Sequence, residues 1–163
     1  MERRACGDSE LELSVLGLGC WQFGDDSYWR PAPQPEINRI VARAVDLGVT
    51  YFDTAEAYAD GKSEKMLGKA LDYIPRDRVV IGTKVLPSNA YPDELVAHCE
   101  ASLQRLDTEY IDLYIVHWPF NSRSLSFVTD NQGKIENPPE AGEVFDTLAQ
   151  LKKEGKIRHV GVS

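Results

Sequence analysis

The chain has 163 residues, a formal net charge of −8, and a composition that is 42% hydrophobic and 27% charged. That length suits one domain with a substantial core, and the acidic balance argues against nucleic acid or an anionic membrane as the main partner. No apolar run follows the two amino-terminal arginines as a signal peptide would require, and the most apolar stretch, Tyr110 to Val116, is short and contains Asp112.

After a polar start, Leu11, Leu13 and Val15 alternate with Glu12 and Ser14. This is the period of a half-exposed strand, here running into Leu16-Gly17-Leu18-Gly19, whose glycines suggest a close backbone approach. Cys20 to Gly24 leaves as a loop, and Tyr28 and Trp29 follow in a turn-like stretch where they read as a substrate lid or a surface anchor. Pro35 and Glu36 suit a first helical turn, and Ile37, Ile40, Val41, Ala44 and Val45 then repeat at helical spacing up to Gly48. Val49-Thr50-Tyr51-Phe52 reads as a buried strand ending on Asp53, with Tyr58 in the loop behind it. Ser63 stands as the N-cap of a helix carrying Glu64, Met66, Leu67 and Ala70.

Val79 to Thr83 is a further apolar strand, ending on Lys84. Leu95, Cys99, Leu103 and Leu106 stripe the next helix, and Ile111 to Val116 is a strand ending in His117-Trp118-Pro119. A polar loop from Phe120 to about Ala141 precedes a helix marked by Val144, Phe145, Leu148 and Leu151, and Ile157 to Ser163 reads as a last strand. Strand and helix thus alternate at a pitch of roughly 30 residues, as βαβ units with parallel strands require. Cys6, Cys20 and Cys99 lack disulfide or metal spacing and read as reduced thiols of a cytoplasmic protein. Gly61-Lys62-Ser63 is not a phosphate loop, because Glu56 stands where its first glycine is needed. His98 and His159 read as structural or solvated, and Asp112 needs a buried partner to stay charged.

In parallel α/β folds the carboxyl ends of all strands share one face, where ligands bind. Here those ends are Asp53, Lys84, His117 and Ser163. Neighbouring strands lie about 4.8 Å apart, so Asp53 and Lys84 can pair, Tyr58 can fold back over Lys84, and His117 lies one strand further on. A phenol is a weak acid at neutral pH; an ammonium beside it stabilises the phenolate, and a carboxylate behind the ammonium keeps it charged. A nearby histidine can hydrogen-bond a substrate oxygen or relay a proton. The set suits protonation of an oxygen that turns negative as a carbonyl is reduced.

The motifs Gly48 to Ala55 with Tyr58 and Glu64-Lys65-Met66-Leu67-Gly68, Val80 to Lys84, Asp112 to Pro119, Leu16 to Trp21 and Ile157 to Ser163 together resemble the aldo/keto reductase family. The resemblance implies a catalytic set in which Tyr58 is the general acid, Lys84 and Asp53 tune it, and His117 orients the carbonyl. It implies NADPH as hydride donor, with NADH as the alternative, Asp53 and Ser163 touching the cofactor, Trp21 and Trp118 lining the pocket of a small-molecule carbonyl substrate, and no metal. The implied fold class is α/β, a partial (β/α)8 TIM barrel of about five parallel strands with four intervening helices.

A full barrel takes roughly 250 residues. The expectation is therefore a single domain over 1–163 that is truncated after the fifth barrel strand, weakly active or inactive by itself, with open sheet edges prone to self-association. A different class, which the family also contains, is a non-catalytic regulatory protein on a reductase scaffold, as in potassium-channel β subunits. The complete Asp53, Tyr58, Lys84 and His117 set favours the enzyme.

Overall fold

A computed structural model describes residues 1–163. Its main sheet holds β3 (Gly17–Gly19), β4 (Tyr51–Asp53), β5 (Val80–Val85), β6 (Ile111–Val116) and β7 (Ile157–Val162), all parallel and in sequential order. Between them run α1 (Gln34–Asp46), α2 (Lys62–Leu71), α3 (Pro92–Leu106) and α6 (Ala141–Lys153). This is the curved wall of a partial (β/α)8 barrel, with β3 and β7 as its edges.

Successive residues of a strand face opposite ways, and the two faces do different work. Phe52, Ile81, Tyr114 and Val116 point outward into a core that the helices complete with Ile37, Val41 and Val45, Leu95, Cys99 and Leu106, and Val144, Leu148 and Leu151. The spacings within each helix are the three- and four-residue steps of one buried stripe. The inward face is thinner. Tyr51 lies flat across it between neighbouring strands, and a Cβ at Gly17 or Gly82 would stand 2.7 Å from the Tyr51 ring or hydroxyl. Glycine at these two positions makes room for that one large side chain.

Three local expectations are corrected. The alternating run from Leu11 to Val15 is not the start of the barrel strand. β2 (Glu12–Ser14) pairs antiparallel with β1 (Arg3–Ala5), and this hairpin docks at the amino-terminal end of β4, where Ser14 Oγ accepts from the Thr50 N–H at 2.9 Å. Ser63 is not an N-cap: Gly61 is, and the Ser63 hydroxyl is buried, bonded to the Cys20 carbonyl at 2.7 Å and to Thr54 Oγ1 at 2.8 Å. The stretch after Phe120 is not one loop. It contains α4 (Ser122–Val128) and α5 (Gln132–Glu136), capped by the side chains of Asn121 and Asn131, so helices beyond the expected four lie between β6 and β7.

Asp112 finds the partners its burial demands: Arg76 at 2.6 Å, the Ile81 N–H at 2.9 Å and Arg158 at 3.4 Å. No helix is long and apolar enough to cross a membrane.

Candidate active site

Asp53 and Lys84 face inward at the carboxyl ends of β4 and β5. Their register brings them into contact, with Lys84 Nζ 2.8 Å from Asp53 Oδ2. The ammonium is nearly buried, and its remaining two protons are taken by the Thr54 carbonyl at 2.8 Å and the Tyr58 hydroxyl oxygen at 3.1 Å. An ammonium has three donors and no acceptor, so this geometry satisfies it and settles the direction of each bond. The phenol oxygen accepts from Lys84, which leaves the phenol proton free to be donated elsewhere.

Asp53 is held from its other side. Tyr51 donates to Oδ1 at 3.0 Å, and burial followed by the Asp53 charge pushes the Tyr51 phenol up, so it stays a neutral donor. Tyr58 reaches Lys84 from a tight turn. The Tyr58 N–H donates to the Ala55 carbonyl at 3.1 Å and its carbonyl accepts from the Ser63 N–H at 3.3 Å. Thus the first turn of α2 fixes one side of the Tyr58 backbone.

His117 follows β6, its backbone N–H bonded to the Val85 carbonyl at 2.9 Å. Its ring stands edge-on to the Tyr58 ring, with centroids 5.5 Å apart, and its Nδ1 is buried without a protein partner. Burial, then the Lys84 charge, pushes the imidazole down to about 4, so it is neutral at physiological pH. Ser163 ends one strand over, its N–H bonded to the Val116 carbonyl at 3.1 Å and its residue exposed on the same rim.

An aromatic frame surrounds this mouth. The Trp21 ring lies 6.2 Å from the Tyr58 ring and stacks on Tyr28 at 5.9 Å, while Trp29 meets it edge-on at 5.8 Å. On the other side Trp118 stacks on His117 at 5.0 Å and, with Ser124 and Phe127, lines a hollow of about 300 Å³. A larger hollow, about 790 Å³, lies at the opposite end of the sheet between α2 and α3; its Arg76 is engaged by Thr108, Tyr110 and Asp112. It holds none of Asp53, Tyr58, Lys84, His117 and Ser163. Nor does any group of three His, Cys, Asp or Glu stand close enough to hold a metal ion.

All four residues expected at the mouth are therefore brought together, and Trp21, Trp118 and Ser163 lie on its rim. Two buried acids went unseen. Glu56 is bonded to Leu86, Asn89 and His98, and Glu64, completely buried, is bonded to Thr83 and Arg105. Glu64 carried a signal, since it falls on the same helical stripe as Leu67 and Leu71. Glu56 lies in an aperiodic loop and carried none.

The aldo/keto reductase family model matches residues 15–163. The chain belongs to the aldo/keto reductase family. Among its relatives, methylglyoxal reductase YeaE of Escherichia coli is 38% identical over 154 residues, covering 94% of this chain and 46% of the relative. A thermostable aldo-keto reductase, Tm1743, solved with the inhibitor epalrestat, superposes with a TM-score of 0.80 at 32% identity, covering 99% of this chain and 53% of that one. An aldo-keto reductase from Klebsiella pneumoniae solved with NADPH superposes with a TM-score of 0.69 at 35% identity, over 93% of this chain and 45% of that one. The chain spans about half the length of the curated relatives it matches.

Proposed function

We propose that the protein reduces aldehydes or ketones to alcohols, with NADPH as the hydride donor and NADH as the alternative. Tyr58 is the general acid. The observation that carries this reading is the direction of the Lys84–Tyr58 bond: the ammonium donates to the phenol oxygen, so the phenol proton is left for the substrate oxygen. As that proton departs, the charge left on the phenolate is met by an ammonium already in place, itself held by Asp53. Neutral His117 supplies a hydrogen bond that orients the carbonyl, and Trp21 and Trp118 exclude water on either side.

The rim fits a nicotinamide nucleotide. Asp53 has a side chain about a third exposed, and Ser163 presents its hydroxyl one strand beyond His117, so the two can hold sugar and amide groups. Such a cofactor, when bound, supplies the hydride. Its choice is supported by the Klebsiella relative solved with NADPH. Three unpaired cysteines support a reducing, cytoplasmic setting, and the free edges of β3 and β7 support self-association. Five strands wall only one side of the mouth, so turnover by residues 1–163 alone is expected to be weak.

The test is oxidation of NADPH by the purified chain with a panel of small aldehydes. Slow, aldehyde-dependent oxidation is expected, reduced in Tyr58→Phe by roughly 10²–10⁴-fold, the usual worth of a positioned general acid. Oxidation that is absent in the wild type, or indifferent to Tyr58→Phe, would contradict the reading.

A further inference from the structure

The turn that carries Tyr58 is strained. Ala59, Asp60 and Gly61 are consecutive left-handed residues, with φ of 50°, 54° and 77°. Non-glycine residues persist in that region only where their surroundings hold them. On the α2 side the holding is done by backbone bonds to Tyr58 and Ala59. On the other side it converges on Glu56, two residues before the acid.

The Glu56 N–H donates to the Lys84 carbonyl at 3.1 Å. Its buried carboxylate accepts on Oε1 from the Leu86 N–H at 2.8 Å and Asn89 Nδ2 at 2.9 Å, and on Oε2 pairs with His98 Nδ1 at 2.6 Å. The partners sit at the exit of β5, in the single turn Pro87–Asn89, and on α3. So the segment bearing Tyr58 is tied to the end of the strand bearing Lys84 through one carboxylate. An apolar side chain would fill the same space at less desolvation cost. What it could not supply is three directional bonds to three elements.

We propose that Glu56 and His98 are positioning residues whose pair, buried at Glu56 and half-exposed at His98, holds the Tyr58 turn against Lys84 and passes the ionisation of His98 to the Tyr58–Lys84 contact. Burial by itself would raise the Glu56 carboxyl, but the bonds from His98, Leu86 and Asn89 outweigh it and hold the group below its ordinary range. His98 is raised in turn, by its bond to Glu56 against the opposing effect of burial. The other charges facing His98 come from its own helix: Glu94, which raises it and is itself held by Lys134 of α5, and Arg105, which lowers it. As pH rises through the elevated His98 value the imidazolium gives up its proton, so the ion pair is lost while Glu56 stays ionised. The neutral ring can still donate, through a weaker bond.

Naming Tyr58 as the acid rests on the proposed function; the coupling does not. NMR of the 163-residue chain can follow the His98 and Tyr58 rings against pH. Tyr58 is expected to show a transition sharing the His98 midpoint, distinct from any transition at the His117 value of about 4. Glu56→Gln should lower the His98 midpoint, since the bond to Glu56 is the main cause of its elevation, and the Tyr58 transition should move with it. His98→Gln, at a half-exposed position that tolerates exchange, should abolish that Tyr58 transition. In carbonyl reduction both variants should lower kcat roughly ten- to hundredfold with little change in KM, as misplacement of an acid does. Tyr58 signals that stay flat through the His98 titration, or ignore both substitutions, would overturn the positioning role. A wild type that reduces no carbonyl would overturn the functional reading alone, and the shared NMR midpoint would still decide the coupling.

Discussion

Lys84 is the residue on which the mouth depends, because one ammonium satisfies a carboxylate, a carbonyl and a phenol at once. Lys84→Met keeps the length of the side chain and removes all three donors. It should cost about 1–3 kcal/mol in urea denaturation, the penalty for leaving buried acceptors without partners. His117 makes a separate prediction about pH. The folded group is held at about 4, while in the unfolded chain it ionises near 6.5. Between those values the unfolded state binds more protons, so stability falls as pH drops through the window and is indifferent to this group above it. The urea midpoint should therefore fall further between about pH 7 and 5 in the wild type than in His117→Gln. An equal fall in both would show that His117 is not the group responsible.

Among the elements, α2 is bound to the sheet and to α3 by an ion pair as well as by packing. Glu64 is fully buried, 2.6 Å from Arg105 Nε and hydrogen-bonded to Thr83 of β5. Arg105→Met would strand that carboxylate, and the expected loss is about 3–5 kcal/mol; removing both charges together, in Glu64→Leu with Arg105→Met, should recover much of it. A Cβ at Gly82 would meet the Tyr51 hydroxyl at 2.7 Å, so Gly82→Ala should cost about 1–3 kcal/mol and loosen the Tyr51–Asp53 bond. Thermal unfolding checks both. Elements with a long apolar period were legible in the sequence: Ile37, Val41 and Val45, or Leu95, Cys99 and Leu106, announce their helices because burial demands that spacing. The hairpin strand Glu12–Ser14 was not separable from the barrel strand behind it, since alternation looks alike in either sheet. The helices Ser122–Val128 and Gln132–Glu136 are too short to show a period, and only their asparagine caps betray them.

For the molecule as a whole, the order of strands carried most of what could be read ahead of the structure. Parallel strands in sequence order oblige Asp53, Lys84 and His117 to share one mouth, and they do. What a list of strand ends cannot convey is the bond direction at Tyr58, the neutrality of His117, or the support from Glu56, because each depends on side chains meeting across loops. In the proposed function Tyr58 and Lys84 act as one proton-donating unit, and groups that act as a unit fail together. A double-mutant cycle on aldehyde-dependent NADPH oxidation measures this directly. Tyr58→Phe and Lys84→Met should each depress kcat by roughly 10²-fold or more, and the double variant should be little worse than either alone. Losses that simply multiply, or a Lys84→Met enzyme that keeps its rate, would contradict the account.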